Sequence, residues 1–338
     1  VTMTRIPTHV VTGFLGSGKT TLIHSLIGQK PVDETWAVLV NEFGQIGIDQ
    51  AMFEHRDDVV VKGLPGGCLC CQLAFVLRAA LADLIRRAKP DRVIIEPSGL
   101  GHPAGLLDLL RGEAFEGVLE VRDIIATLDP RRLDEPRVRE HETFNDQLAV
   151  ADAVVLTLTD QAVESQNARG RAFVEALWPA PKWVHDSAGG ALPLSLLTQG
   201  GQAGASSVAM PDAHRALVAS PTLAGQFFDA PPPLGSPRIE TASALGYASS
   251  GLRWHPDERF DLDRLAHTLS ELPKAARAKG VFHTDSGWKR LNRADGVLSV
   301  EASAWRQDSR LEVILPDTLA QRDLTLVDRL VDLSSSAQ

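Results

Sequence analysis

The sequence predicts two folded parts, an α/β domain on a mostly parallel sheet and then a small α+β domain. Three observations carry this prediction. Short apolar strands alternate with helical segments from Ile6 to about His185, the pattern of a layered α/β fold. A glycine-rich octapeptide, Gly13-Phe14-Leu15-Gly16-Ser17-Gly18-Lys19-Thr20, sits between the first strand and the first helix. The alternation then stops, and Asp186 to about Pro237 becomes rich in Ala, Gly, Ser and Pro, including Pro231-Pro232-Pro233. The expected division is therefore a first domain over 1–187, a linker over 188–238 with at most one short helix, and a second domain over 239–338.

The elements follow in order. Ile6–Thr12 reads as a strand rich in β-branched residues, and Lys19–Ile27 as a helix. Ala37–Val40 reads as a buried strand running into the turn-prone Asn41-Glu42-Phe43-Gly44. Val59–Val61 is a short strand ahead of the Pro65-Gly66-Gly67 turn. From Leu73 to Ala88 apolar residues recur at helical spacing (Leu73, Val76, Leu77, Ala80, Leu81, Leu84, Ile85). Arg92–Ile95, Asp123–Leu128 and Ala153–Leu156 are further strands. In the second part, strands are expected near Tyr247–Trp254, Lys279–His283, Trp288–Asn292, Val297–Glu301 and Leu311–Leu315, with helices at Asp261–Leu272 and Ala320–Leu333.

Composition excludes several classes. The 338 residues are 44% hydrophobic and 23% charged, ordinary for a globular protein. A net charge of −9 gives no basic footprint for nucleic acid or anionic lipid. No apolar run approaches the roughly 18 residues of a membrane span, and the start has no signal-peptide pattern. All three cysteines lie within Cys68-Leu69-Cys70-Cys71. An odd number in one place argues against a disulfide framework and leads us to expect a cytoplasmic protein.

The octapeptide fits G-x-x-x-x-G-K-[ST] in full, in the strand–loop–helix context the chemistry needs. Gly13, Gly16 and Gly18 let consecutive N–H groups, including those of Ser17 and Thr21, turn around phosphates, and the helix start adds partial positive charge. Lys19 is expected on the β/γ-phosphates and the Thr20 hydroxyl on Mg²⁺. Glu96, at the carboxyl end of the strand Arg92–Ile95, is the expected second Mg²⁺ partner, directly or through water. Gly99 is placed for a backbone contact that senses the γ-phosphate. No residue stands out as a catalytic base; Gln45 is polar and near the turn after the second strand, but nothing singles it out.

Three thiolates at Cys68, Cys70 and Cys71 can hold a soft metal and leave a fourth position open, which suits transfer more than scaffolding. The other readings are buried structural cysteines and a redox-active vicinal pair, Cys70–Cys71. The ten histidines are scattered; His255, His267 and His283 read as surface or packed residues, and Trp254, Trp288 and Trp305 as support for a small core or a partner surface.

TGFLGSGKTTLI, VNEFGQIGID, GGCLCC, IIEPSGLGHP and DQLAVADAVV together resemble the CobW-type P-loop GTPases, and RAKGVFHTDSGWKRLNRADG with SRLEVI is similar to that family's C-terminal domain. HVVTGFLGSGKTTLI, WAVLVNEFG, EPSGLGHP and ARAKGV most resemble its YeiR branch, which contains zinc-binding GTPases. The resemblance implies a P-loop NTPase domain, GTP and GDP as nucleotides, and zinc ligation by Cys68, Cys70 and Cys71. It also implies Glu42 as an oxygen ligand in a loop that responds to the γ-phosphate, with Asp49 a weaker candidate.

One motif departs from the family. Where Asn-Lys-x-Asp normally reads guanine, this chain has Thr157-Leu158-Thr159-Asp160. Asp160 keeps the acceptor for guanine's two N–H donors, Leu158 offers only an apolar stem, and Thr157 replaces an amide. His185-Asp186-Ser187-Ala188 is the expected second base loop. The resulting expectation is a slow GTP hydrolase that carries zinc and passes it, through its C-terminal domain, to a client metalloprotein; a homo-oligomer is compatible with it. The alternatives are a P-loop phosphotransferase with structural cysteines, or a zinc buffer or sensor without delivery.

Overall fold

The computed structural model describes residues 5–41, 58–64, 71–99, 103–199, 231–244, 247–294, 296–316 and 329. The chain divides into two compact units, Val1–Val208 and Ala209–Gln338.

The first unit runs β1 (Ile6–Gly13), α1 (Lys19–Gly28), β2 (Trp36–Asn41), β3 (Val59–Leu64), α2 (Cys71–Ala88), β4 (Arg92–Glu96), α3 (Ala104–Leu110), β5 (Leu119–Leu128), α4 (Pro136–Arg139), α5 (Glu142–Ala149), β6 (Ala153–Leu156), α6 (Glu164–Glu175), β7 (Trp183–Asp186) and α7 (Leu194–Gln199). Its seven strands lie in the order β3-β2-β4-β1-β5-β6-β7, and every neighbouring pair is parallel. Parallel sheets are covered on both faces, so their strands read as unbroken apolar runs. The cores bear this out residue by residue. Ile125 and Val155 pack on one face with Leu22, Ile23 and Leu26 of α1 and Leu197 of α7. Their neighbours Ala126, Val154 and Leu156 pack on the other face with Phe144 and Leu148 of α5 and Val174 of α6.

Several element starts differ from expectation by one or two residues, and one by four. β5 begins at Leu119 rather than Asp123. Its first turns carry charge because that end of the sheet meets solvent: Arg122 pairs with Glu120 at 2.9 Å, and Asp123 with Lys182 at 2.8 Å. The helix expected from Leu73 begins at Cys71. Asp83 of α2 bonds Lys62 of β3 at 3.1 Å as well as Arg86 and Arg87 of its own helix, which fastens α2 to the sheet edge.

The second unit is an antiparallel sheet of six strands: β8 (Arg238–Ala244), β9 (Tyr247–Arg253), β10 (Arg277–Thr284), β11 (Gly287–Ala294), β12 (Val297–Ala302) and β13 (Arg310–Pro316), with α8 (Leu262–Ser270). The strand order is β12-β11-β10-β13-β9-β8. β8 is absent from the expectation because Ile239 is its one large apolar residue; β9 supplies its partners through an antiparallel ladder. Trp254, Phe260 and Phe282 form a closed ring cluster with centroids 5.1 to 5.6 Å apart, seated among Leu265, Leu269 and Val313. Buried Arg293 donates to the carbonyls of Pro273 at 2.9 Å and Ala276 at 2.8 Å, tying β11 to the exit of α8. His283 stacks on Trp288 at 4.5 Å, a packed residue as expected. The expected helix Ala320–Leu333 lies, apart from residue 329, outside the described residues.

Candidate nucleotide-binding site

β1 lies between β4 and β5. Connections after β1 lead to strands on the β4 side and those after β4 to strands on the β5 side, which opens a crevice beyond the carboxyl ends of these strands. The loop Gly13–Thr20 fills this place. Gly13 has φ 149°, and a Cβ there would lie 2.1 Å from Thr127 Oγ1 and 2.7 Å from Thr127 O. β1 and β5 thus approach too closely for any side chain. Gly16 and Gly18 have φ of 75° and 81°, left-handed values that suit glycine. Gly18 in that conformation caps α1, so the loop enters the helix with its first N–H groups unspent on side-chain caps.

Lys19 curls back over the loop, its Nζ donating to Gly13 O at 3.0 Å and Phe14 O at 3.3 Å. Thr20 Oγ1 donates to Glu96 Oε1 at 2.9 Å. Glu96 is buried, and the pairing brings a hydroxyl and a carboxylate together beside the loop. Such an oxygen donor set fits a hard divalent cation. Gly99 stands against the same loop: a Cβ on it would lie 2.8 Å from Leu15 Cα and 3.1 Å from Lys19 Nζ. Ser17 and Thr127 share a hydroxyl–hydroxyl bond of 2.6 Å.

The segment after β6 reaches the same loop from the other side. Thr157 Oγ1 donates to Ser17 O at 2.7 Å. Leu158 has φ 56°, a conformation that costs a branched residue roughly 1–2 kcal/mol. The turn is held by Gln161 N donating to Leu158 O at 3.0 Å and Asn167 Nδ2 to Thr159 O at 2.9 Å. Asp160 is exposed, and its Oδ1 accepts from Gly189 N at 3.1 Å. Thr159 N donates to Ser187 O at 3.3 Å. The two loops expected at the base are therefore adjacent. Gly190, with φ 78°, packs on Thr21, where a Cβ would come within 2.6 Å of Cγ2.

Three residues at this place escape sequence reasoning. Buried Asp129, just past β5, accepts from Arg131 Nη2 at 2.8 Å. Arg131 Nη1 reaches Gln161 Oε1 at 3.1 Å, and Asp129 and Asp160 together hold the guanidinium firmly charged. Gln147 of α5 donates to Gly99 O at 3.1 Å. The available signal was a polar residue on a helix face otherwise apolar at Phe144 and Leu148.

Of the expected metal residues, Glu42, Asp49, Cys68 and Cys70 lie outside the described residues, as does Gln45. Cys71 is the first residue of α2. Among the described residues no group of three or more His, Cys, Asp or Glu is arranged to hold a metal ion. Among them, too, no helix is long and apolar enough to cross a membrane.

Comparison with known proteins gives a consistent set of likenesses. Residues 7–183 match the CobW/HypB/UreG nucleotide-binding domain, and residues 249–325 the cobalamin synthesis protein CobW C-terminal domain. The chain is 34% identical to the zinc chaperone YeiR of Escherichia coli (strain K12) over 319 residues, 92% of this chain and 93% of that protein. It is 31% identical over 179 residues to the zinc-regulated GTPase metalloprotein activator 1 of Saccharomyces cerevisiae, 46% of this chain and 42% of that one. Among solved structures, the Zn(II)-bound YjiA GTPase of E. coli aligns over 98% of this chain and 99% of its own, at 18% identity and a TM-score of 0.46.

Proposed function

This chain belongs to the CobW/HypB/UreG family of nucleotide-binding proteins, and from that membership we propose that it is a GTP-hydrolysing metallochaperone for zinc. The observation that carries the nucleotide half is the convergence on one loop of Lys19, the Thr20–Glu96 pair, Gly99 and the turn ending at Asp160. The loop amides and Lys19 bind the phosphates, and Gly13, Gly16, Ser17, Gly18 and Thr21 shape that cradle. Thr20 and Glu96 would hold Mg²⁺, which would supply neutralisation of phosphate charge. Asp160 accepts from N1–H and the exocyclic amine of guanine, an edge that adenine does not present. In hydrolysis, water adds to the γ-phosphorus, the bond to the bridging oxygen breaks, and GDP and phosphate leave. The residues contribute positioning and electrostatic stabilisation, and turnover is slow, as suits a switch.

For the metal half, Cys68, Cys70 and Cys71 bind zinc as thiolates, with Glu42 as a further oxygen ligand. The name of the YeiR relative, a zinc chaperone, supports this reading. Support for a coupling between the two sites comes from the packing of elements between the phosphate loop and the start of α2. The segment from Glu96 to Gly99 leads toward α3, α3 packs against α2, and α2 starts at Cys71. An element ordered by the γ-phosphate and released on hydrolysis is a known kind of switch. Zinc passes to a client metalloprotein through the second unit, in the cytoplasm, with the domain division set out from the sequence.

The test is zinc stoichiometry and affinity for the wild type and for Cys68→Ser, Cys70→Ser and Cys71→Ser, each with a GTP analogue and with GDP. Loss of the bound zinc in the variants, and a wild-type affinity that differs between nucleotide states, is the expected result. Identical zinc affinity with either nucleotide would sink the coupling, and unchanged zinc in all three variants would sink the cysteine site.

A further inference from the structure

One polar side chain at the nucleotide site, Gln147 in the segment DQLAVADAVV, has no role in the phosphate loop, the Mg²⁺ pair or the base-contacting turns. Gln147 lies on α5 and is 1% exposed. Taking a side-chain amide into a core costs free energy unless its hydrogen bonds are made. Here Nε2 donates to the carbonyl of Gly99 across 3.1 Å, in a buried bond. On its other side Gly99 has no room: a Cβ would meet Leu15 Cα at 2.8 Å, Leu15 N at 2.9 Å and Lys19 Nζ at 3.1 Å. The Gly99 backbone is therefore held between the phosphate loop and Gln147.

The same helix grips the phosphate loop at a second point. The ring of Phe14 meets His141 edge-on at 5.2 Å and Phe144 at 6.0 Å. His141 is the N-cap residue of α5, its Nδ1 accepting from Thr143 N at 3.2 Å. His141, Phe144 and Gln147 recur every third position and so share one side of the helix. Two backbone segments that meet at Lys19 Nζ, Gly13–Phe14 and Gly99, thus rest against one rigid element.

We infer that Gln147 is a positioning residue for the triphosphate: its amide latches Gly99 against the phosphate loop, where a terminal phosphate reaches and a diphosphate does not. The inference rests on reading this loop as a triphosphate site with Gly99 beside the γ-phosphate. Its consequence is selective. A backbone already set for the ligand spares the cost of ordering it on binding, and only the ligand that extends to Gly99 gains from that. Gln147 acts on the nucleotide through Gly99.

The experiment uses the full chain with Mg²⁺ and measures equilibrium binding of a non-hydrolysable GTP analogue and of GDP. Gln147→Met removes the donor at similar volume, and Gln147→Glu sets a carboxylate against the Gly99 carbonyl. For Gln147→Met the analogue is expected to bind about five- to tenfold more weakly, the range of one buried neutral hydrogen bond, with GDP affinity within about twofold of wild type; Gln147→Glu extends the same selective loss. Equal weakening of both ligands in both variants would mean a merely structural role and would overturn the inference. So would an unchanged ratio of analogue to GDP affinity, or a wild type that binds the two equally. A wild type that binds neither nucleotide would instead overturn the reading of the site.

Discussion

Thr20 Oγ1 and Glu96 Oε1 lie 2.9 Å apart, joining the first turn of α1 to the last residue of β4. Residues 76 positions apart in sequence are thus first neighbours beside the phosphate loop. Glu96→Gln keeps the shape and removes the charge. Hydrolysis is expected to fall by about 10²–10³, the range for losing one preorganised electrostatic group, with a rise in the Mg²⁺ concentration needed for half-maximal rate. Phosphate release across a Mg²⁺ titration checks this, and an unchanged Mg²⁺ requirement would refute the assignment.

Lys19→Ala removes the ammonium that bridges Gly13 O and Phe14 O. Turnover is expected to disappear and triphosphate binding to weaken more than binding of the nucleoside. Full hydrolysis by the variant would contradict the phosphate-loop reading.

Asp160→Ala takes away the acceptor held beside Gly189. Competition binding should show a loss of GTP affinity of about tenfold or more, since a hydrogen bond to a charged group contributes roughly 1.5–3 kcal/mol, and little change for ATP. Equal losses for both nucleotides would show that this turn does not select the base.

Gly13→Ala places a methyl group 2.1 Å from Thr127 Oγ1 and 2.7 Å from Thr127 O. β1 and β5 cannot part without opening the sheet between them. A destabilisation of about 3 kcal/mol or more is expected, in the class of overpacking and backbone strain, read as a lower midpoint in denaturant unfolding.

His9 lies in β1, fully buried, and Arg92 Nη1 meets its Nε2 at 2.7 Å. Burial first, then the charges of Arg92 and Arg122, lower its pKa from 6.5 to about 3. The folded state keeps the ring neutral while the unfolded chain takes up a proton below pH 6.5. Its contribution to stability is therefore complete above pH 6.5 and falls as the pH drops toward 3, by about 1.4 kcal/mol per unit in this window. His9→Gln should show a flatter stability profile than wild type between pH 6.5 and 4 in urea unfolding. Parallel profiles would refute the assignment.

Much of the fold was legible because buried parallel strands have no polar face. Arg92–Ile95 and Ala153–Leu156 therefore stood out as apolar runs. The phosphate loop was legible because its chemistry depends on local backbone geometry, so glycine, lysine and threonine must recur at set spacings. β8 and the charged start of β5 were not legible. A strand at the edge of a sheet, or entering one from solvent, is specified by its partner rather than by its own composition.

The sequence by itself determined the loop at Gly13–Thr20, the acid at Glu96, the altered turn ending at Asp160 and the grouping of all three cysteines, since each depends on residue type and short-range spacing. Only the tertiary structure decided which groups meet: Thr157 with Ser17, Arg131 with Gln161, Gln147 with Gly99, separated by 140, 30 and 48 positions. A hydrogen bond across such a span leaves no periodicity in the chain, because its geometry is set by the packing of α5 and the order of strands around β1.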